Sequence, residues 1–345
     1  MAHAYEALTP DVVLDALSDL GLPVDGRLMA LSSYENRVYQ VMLDDGQAVV
    51  AKFYRPARWS DEQILEEHAF ADALMGEEIP MVGPLALHGQ TLHHAAGFAF
   101  SVSPRRGGRT PELDDEEVLE WVGRFIARIH VVGQQQVFAT RPTLNLQTFA
   151  IDSRNWLLEH NVIPLDQQTN WTSWCDKAIA IASEVFAAHP STSIRLHGDC
   201  HPGNILWTPT DQANGGPHFV DLDDARMGPA IQDLWMLISG DRKQKTYQLS
   251  LLLEGYEQMR ELNRTELALI EPLRTLRLIH YSAWLAKRRD DPAFVQHFSW
   301  FGSSDYWAGQ IHMLEEQCEA MQERSEEHTS ELQSHSDLVC RLLLE

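Results

Sequence analysis

The chain has 345 residues, enough for two lobes around a sizeable core, and its hydrophobic fraction of 44% is that of a globular protein. Its 27 basic and 50 acidic residues give a formal net charge of -23, which argues against a nucleic-acid or anionic-membrane partner. The four cysteines are far apart, and no segment has the length of a spanning helix or the pattern of a signal peptide. We therefore expect a cytoplasmic protein without disulfides.

The first hundred residues predict a small antiparallel sheet with helices. An amphipathic helix is expected within 9–21, where proline stands in the first turn and glycine after the end. The strand-like runs 38–43 and 48–53 flank an Asp-Gly turn and should pair as a hairpin. Further expected elements are a helix over 61–75 and short strands near Leu92 and over 98–102.

The Pro- and Gly-rich stretch 104–111 separates this sheet from a mostly helical remainder. Apolar residues at helical spacing predict helices over 116–130, 171–188, 231–238 and 246–288, the last broken near Glu271-Pro272. We predict an α+β chain of two lobes, with a nucleotide-binding lobe over 1–103 and a helical catalytic and substrate lobe over 104–323.

The segment 324–345 stands apart from both lobes. From Arg324 to His335 it matches an in-frame translation of a common sequencing-adapter oligonucleotide. We hypothesise that 324–345 is a non-native tail that replaced the true C-terminus, and we assign it no function. A genomic read that continues through these codons would contradict this hypothesis.

The residues that suggest chemistry are concentrated between Leu196 and Asp223. Asp199 and Asn204 lie five residues apart on a loop rich in glycine and proline, and Asp221 follows a strand soon afterwards. In kinases, an Asp that takes the substrate hydroxyl proton stands five residues before an Asn that holds magnesium, and a later Asp completes the metal site. The spacing therefore predicts phosphoryl transfer.

Two further kinase features are found in the first lobe. Val-Ala-Lys ends a predicted strand at Lys52, where an ammonium group can reach phosphate oxygens. Its carboxylate partner should lie on the next helix, where both Glu66 and Glu67 are available. We favour Glu67, because it shares the inward face of that helix.

The flap over the nucleotide is expected between the first two strands, in residues 31–38. This segment contains no glycine, unlike the Gly-rich loop of protein kinases. We therefore expect hydroxyl, amide and guanidinium groups around Ser33, Asn36 and Arg37 to contact the phosphates.

The pattern His-Gly-Asp-x-His-x-Gly-Asn-Ile at 197–205, with the strand that leads to Asp221, resembles a known family. It is similar to the aminoglycoside-phosphotransferase and choline-kinase branch of the protein-kinase-like fold, which has a small antiparallel-sheet lobe and a mostly helical lobe. The resemblance narrows to the bacterial stress-response kinase A family over most of residues 5–315, on the segments 33–40, 52–56, 196–201 and 220–226.

The resemblance implies an ATP- and Mg²⁺-dependent serine/threonine protein kinase, a cytoplasmic monomer that phosphorylates itself and takes part in stress responses. It also implies a buried acid, Asp233, that braces the catalytic loop through backbone N–H groups. The implied roles are Asp199 as proton acceptor, Asp199 and Asp221 as catalytic residues, Asn204 and Asp221 as Mg²⁺ ligands, Ser33 as a nucleotide contact, and Lys52 with Glu67 as the supporting ion pair.

Two departures from ordinary protein kinases stand out. Gly198 stands where protein kinases have an arginine before the catalytic aspartate. The chain therefore lacks the guanidinium that would bind a phosphorylated activation loop, and we expect no activation by that route. Eleven residues separate Asp221 from Asp233, too few for a long segment that cradles an extended peptide. We therefore expect the substrate to dock elsewhere, on the helical lobe and on the stretch 105–109.

Three other readings remain open. The chain could phosphorylate a small-molecule alcohol such as choline, homoserine or an aminoglycoside. It could be a metal hydrolase, because His197, Asp199, Cys200 and His201 are all residue types that bind transition metals. It could also be a nucleotide-binding scaffold, although the intact set of kinase residues argues against this.

Overall fold

The computed structural model describes residues 4–331. Its last helix, Ser304–Glu331, enters the segment that begins at Arg324, and the rest of that segment, 332–345, lies outside the described residues.

A five-stranded antiparallel sheet forms the first lobe. Its strands are β1 (Val24–Leu31), β2 (Arg37–Leu43), β3 (Ala48–Phe53), β4 (His93–Ala95) and β5 (Phe98–Pro104). They lie in the order β1-β2-β3-β5-β4. The predicted hairpin of β2 and β3 is confirmed, and its register pairs Val38 with Lys52.

Helix α1 (Pro10–Asp19) covers one face of this sheet. It begins after Thr9, whose hydroxyl accepts a hydrogen bond from the N–H of Val12. The helix buries Val13 and Leu17 in the apolar core of the sheet. This agrees with the amphipathic helix predicted from the sequence.

Helix α2 (Asp61–Gly76) begins with a capping box formed by Ser60 and Gln63. Its buried residues Phe70 and Leu74 do not join the core of the sheet. They belong to the continuous core of the second lobe instead. Helix α2 therefore packs as part of the helical lobe, although it is connected to the sheet.

Helices make up most of the second lobe: α3 (Glu116–Gly133), α4 (Asp152–Glu159), α5 (Leu165–Ala188), α6 (Ile231–Trp235), α7 (Arg242–Tyr256), α8 (Ile270–Ala286), α9 (Pro292–His297) and α10 (Ser304–Glu331). Two short antiparallel ladders carry the loops of the catalytic motif: β6 (Ile194–Leu196) with β9 (Arg226–Gly228), and β7 (Ile205–Thr208) with β8 (Gly216–Phe219).

The α+β, two-lobed fold predicted from the sequence is confirmed. One detail differs, because the break within 246–288 lies between α7 and α8 rather than at Glu271-Pro272. Pro272 lies in the first turn of α8, where a missing N–H removes no helical hydrogen bond. Within residues 4–331, no helix combines the length and the hydrophobicity needed to cross a membrane.

Candidate active site

A cavity of about 860 Å³ lies between the two lobes. Its wall contains Lys52 from β3, Glu67 from α2, and Asp199, Asn204 and Asp221 from loops of the helical lobe. The fold thus gathers around one space the kinase-like residues that the sequence spreads over both lobes.

Asp233 in α6 holds the backbone of the catalytic loop, residues 197–204. The buried carboxylate accepts hydrogen bonds from the N–H groups of His197 (2.8 Å) and Gly198 (2.9 Å). The Nε2 of His130 lies 3.0 Å from the same carboxylate. These contacts confirm the predicted brace, and they fix the backbone of the loop beside Asp199.

Gly198 is required by the shape of this loop. Its φ is +84°, in the left-handed region, and an added Cβ would lie 2.2 Å from the carbonyl oxygen of Asp224. No other residue type fits both the conformation and this approach of two backbone segments. The absence of an arginine before Asp199 therefore has a steric cause.

The two carboxylate oxygens of Asp199 have different partners. Oδ1 lies 2.9 Å from Nη2 of Arg277, on α8. Oδ2 has longer contacts, 3.4 Å to Nε2 of His201 and 3.5 Å to Nδ2 of Asn204. Burial alone would raise the pKa of Asp199, but the hydrogen bond with His201 and the charge of Arg277 outweigh it and hold this pKa below its usual range. Asp199 is therefore ionised at neutral pH.

Asn204 and Asp221 present oxygen donors of the kind that Mg²⁺ prefers. The amide nitrogen of Asn204 donates to the carbonyl of Asp199 (2.9 Å), so its amide oxygen remains as a ligand. Asp221 has a φ of +63°, and its side chain is 47% exposed on the cavity wall. Among residues 4–331, no cluster of three or more His, Cys, Asp or Glu side chains could enclose a metal alone. The donors fit Mg²⁺, which takes one or two protein carboxylates together with substrate phosphates.

Lys52 is surrounded by three carboxylates. Its Nζ lies 3.0 Å from Glu67 Oε1, 3.4 Å from Asp221 Oδ1 and 3.6 Å from Asp223 Oδ1. Burial would lower the pKa of Lys52, but the nearby carboxylates, Glu67 above all, raise it well above its ordinary value. The ammonium group is therefore charged and held at the cavity wall.

The two glutamates have different contacts. Glu67 accepts a hydrogen bond from Nζ of Lys52. Glu66 faces the helical lobe, where its carboxylate accepts hydrogen bonds from the backbone N–H groups of Ala139, Thr140 and Arg141. These bonds attach α2 to the second lobe.

The flap, residues 31–38, brings one of its three expected residues to the cavity. Ser33 lines the cavity, as expected for a nucleotide contact. Asn36 is buried, and its side-chain oxygen accepts the N–H of Arg55 (3.1 Å). Arg37 donates to Asp291 and lies over the ring of Tyr5. The structure thus directs Asn36 and Arg37 to the support of the flap rather than to the cavity wall.

Two arginines that no sequence motif predicts, Arg58 and Arg277, form ion pairs with acidic residues of the site. Arg58 forms ion pairs with Asp223 and Asp224, just after Asp221. Arg277 contacts Asp199 from α8. Both arginines lie far from their partners in sequence, so spacing carries no signal for them. The run of acids from Asp221 to Asp224 is the one sequence feature that calls for such cations.

The stretch 105–109 runs from the sheet of the first lobe to β7 of the second, where the backbone of Arg109 pairs with that of Trp207. Arg105 donates to Gln40 on β2 (3.2 Å), and Arg106 donates to the carbonyl of Asn214 in the loop between β7 and β8 (3.1 Å). Arg105 and Arg106 line the same cavity as Asp199. Arg105 thus binds to the sheet and Arg106 to the β7–β8 loop. The arginine that contacts Asp199 comes from α8 instead.

The side chains of the hydrolase reading do not converge on one centre. His197 is buried, and its Nε2 donates to the carbonyl of Val220 (3.0 Å). Cys200 is buried in the apolar core. His201 accepts the N–H of Gly203 at Nδ1 (3.0 Å). These contacts support the catalytic loop, and of the four side chains those of Asp199 and His201 line the cavity.

Comparison with known proteins agrees with this geometry. The profile of the "Phosphotransferase enzyme family" matches residues 28–269. "Stress response kinase A" of Escherichia coli (strain K12) is 45% identical over 322 residues, which cover 93% of this chain and 96% of that protein. "Serine/threonine protein kinase RdoA" of Salmonella typhimurium (strain LT2) is 43% identical with the same coverage.

Solved structures show the same fold at lower identity. An amicoumacin kinase in complex with AMP-PNP and Ca²⁺ has a TM-score of 0.65 at 20% identity, over 90% of this chain and 93% of that one. A microcompartment-associated aminopropanol kinase has a TM-score of 0.67 at 16% identity, over 90% and 97% of the two chains. The extent of the family match and the identity to these relatives show that the chain belongs to the phosphotransferase enzyme family and, within it, to the stress response kinase A family.

Proposed function

We propose that this protein is an ATP- and Mg²⁺-dependent serine/threonine protein kinase in which Asp199 orients the acceptor hydroxyl and takes its proton. The observation that carries the proposal is that the Lys52–Glu67 pair and the side chains of Asp199, Asn204 and Asp221 line one cavity. Phosphoryl transfer depends on positioning and charge stabilisation, and this set supplies both.

Each residue has a distinct task in this scheme. Lys52, oriented by Glu67, binds phosphate oxygens of ATP, and Ser33 contacts the nucleotide from the flap. Asn204 and Asp221 are the residues that would hold Mg²⁺, which supplies charge neutralisation on the phosphates when bound. Because its pKa is held low, Asp199 accepts a hydrogen bond from the hydroxyl before any proton moves.

A protein substrate is supported by the relatives rather than by the shape of the cavity. One relative at 43% identity is named a serine/threonine protein kinase, and others carry the name stress response kinase. We therefore propose that the chain acts on Ser or Thr side chains in a stress response. The resemblance of its motifs extends the proposal to a cytoplasmic monomer that also phosphorylates itself.

A small-molecule hydroxyl kinase is the second candidate. Its support is the set of structural neighbours that are named for small acceptors, among them the amicoumacin and aminopropanol kinases. The short run from Asp221 to Asp233 would also suit a small acceptor.

The test is phosphoryl transfer by the wild-type chain and by Asp199→Asn, measured with radiolabelled ATP and Mg²⁺ and followed by phosphoamino-acid analysis. We expect label on Ser or Thr in the wild type, and a rate about 100- to 10,000-fold lower in the variant with ATP affinity retained. The matched control is Asp25→Asn, a surface acid paired with Arg27.

Two results would overturn the proposal in different ways. Wild-type turnover in Asp199→Asn would remove Asp199 from its role. Label confined to added alcohols, with none on protein, would replace the protein substrate by a small molecule.

A further inference from the structure

One face of helix α8 forms the side of the cavity nearest to Asp199. Arg277, Tyr281 and Trp284 line the cavity from positions i, i+4 and i+7 of this helix, and His280 lies between them. The helix therefore presents a continuous wall, with a cation at one end and aromatic rings at the other. Tyr281 and Trp284 stack with ring centroids 5.7 Å apart.

Arg277 has a position distinct from the other arginines of the site. Its side chain is 37% exposed, and its Nη2 lies 2.9 Å from Asp199 Oδ1. Arg58 and Arg226 are both paired with Asp224, so they are committed to the loop after Asp221. The guanidinium that meets the acceptor-orienting carboxylate thus comes from α8.

The two oxygens of Asp199 show what this contact achieves. Oδ1 is held at 2.9 Å by Arg277, whereas the contacts of Oδ2 are 3.4 Å and 3.5 Å long. The contact with Arg277 is an ion pair without hydrogen-bond geometry, and Oδ1 is buried against it, whereas the Asp199 side chain as a whole is 22% exposed. Oδ2 is therefore the carboxylate oxygen left for a hydroxyl to approach, while the charge of Arg277 holds Oδ1.

The catalytic loop offers Asp199 a histidine, His201 at 3.4 Å from Oδ2, but no permanently charged cation. The position before Asp199 must be glycine, because of its positive φ and the backbone of Asp224 beside it. The residue two positions after Asp199 is His201, whose Nδ1 accepts the N–H of Gly203. A side chain from another element is required, and α8 provides it.

We propose that Arg277 is a positioning residue for phosphoryl transfer, which pins Oδ1 of Asp199 and leaves Oδ2 directed at the acceptor hydroxyl. This inference rests on the proposed role of Asp199. It assigns to α8 a part in the reaction in addition to its place in the wall of the cavity.

The test compares Arg277→Met and Arg277→Lys with Arg274→Met. Arg274 lies one turn earlier on α8 and pairs with Glu271 at 2.9 Å, so it is a matched ion pair outside the site. We expect Arg277→Met to lower kcat about 10- to 100-fold with the KM for ATP within about twofold, since a misplaced reacting group costs rate rather than nucleotide affinity. Arg277→Lys should recover part of the rate, and Arg274→Met should keep it.

A double variant separates positioning from a structural role. In an Asp199→Asn background, Arg277→Met should change kcat by less than about twofold, because the group it positions is no longer the reactive carboxylate. An equal loss in both backgrounds, or an unchanged kcat in Arg277→Met, would overturn the inference while leaving the proposed function intact. Wild-type turnover in Asp199→Asn alone would overturn the proposed function, and the inference with it.

Discussion

The catalytic loop and the flap face each other across the cavity, and they are held by different kinds of bonds. The catalytic loop is held by a buried acid of its own lobe, Asp233, through backbone N–H groups. The flap is held by ion pairs, some with Arg55 and Arg58 of its own lobe and others, through Arg288 and Asp291, with the opposite lobe. The first arrangement persists whenever the helical lobe is folded, whereas part of the second exists only while the lobes are together.

Glu35 is the centre of the contacts that hold the flap. Its carboxylate accepts the indole N–H of Trp284 (2.8 Å) and pairs with Arg55 (2.9 Å), Arg58 (3.4 Å) and Arg288. Asp291 adds ion pairs at 3.0 Å to Arg37 and Arg55. A loop without glycine is thus given a fixed position by charges rather than by its own backbone preferences.

The largest effect is expected from Asp233→Ala. The change leaves two buried N–H groups and His130 without their acceptor, and loss of one partner of a buried charged group costs about 3–5 kcal/mol of the free energy of unfolding. Thermal unfolding should show a large fall in Tm, with no such fall in Asp25→Ala at the surface. A Tm near that of the wild type would show that the catalytic loop does not depend on this brace.

Gly198→Ala should have the next largest effect. A residue with a Cβ in the left-handed region costs about 1–3 kcal/mol, and the contact with Asp224 adds to this. Gly21→Ala is the matched control, because Gly21 has a similar φ of +78° with no atom within 4 Å of an added Cβ. We expect loss of phosphoryl transfer in Gly198→Ala alone, and equal activity of the two variants would contradict the steric account.

Glu35→Gln should weaken the binding of the nucleotide. Removing one charge of the network loosens the flap, and we expect ATP affinity to fall about tenfold, equivalent to roughly 1.4 kcal/mol. Titration calorimetry at low and high salt measures this, with Glu112→Gln in an exposed pair as control. Unchanged affinity would mean that the flap holds its position without the ion pairs.

The smallest effect concerns acid stability near α2. Burial lowers the pKa of His68 from 6.5 to about 3, and Lys52 and Arg141 contribute to the shift. Between these values the unfolded chain binds a proton that the folded chain does not, so stability falls as the pH is lowered below 6.5, by about 1 kcal/mol at pH 5.5. His68→Gln should reduce this fall, whereas His312→Gln at the surface should not. Urea unfolding at pH 7 and 5.5 decides between these outcomes.

The sequence predicted the catalytic loop better than the flap, for a physical reason. Asp199, Asn204 and Asp221 lie close in the chain, so their spacing reports their geometry. Glu67 was separable from Glu66 because helical periodicity gives each residue a face. The supports of Asn36 and Arg37 come from other segments, and Asp291 is 254 residues from Arg37. No local pattern encodes such contacts, and the same holds for Arg58 and Arg277.

The attachment of α2 through Glu66 has a consequence for how activity is controlled. In protein kinases, the corresponding helix moves to make or break the Lys–Glu pair, and this movement is a switch. Here Glu66 accepts hydrogen bonds from three consecutive N–H groups, at Ala139, Thr140 and Arg141, and the core of the helical lobe encloses Phe70 of the same helix. An outward swing of α2 would break all of these contacts. We therefore expect the Lys–Glu pair to be assembled in every folded molecule, so that the site needs no movement of this helix before it can bind nucleotide.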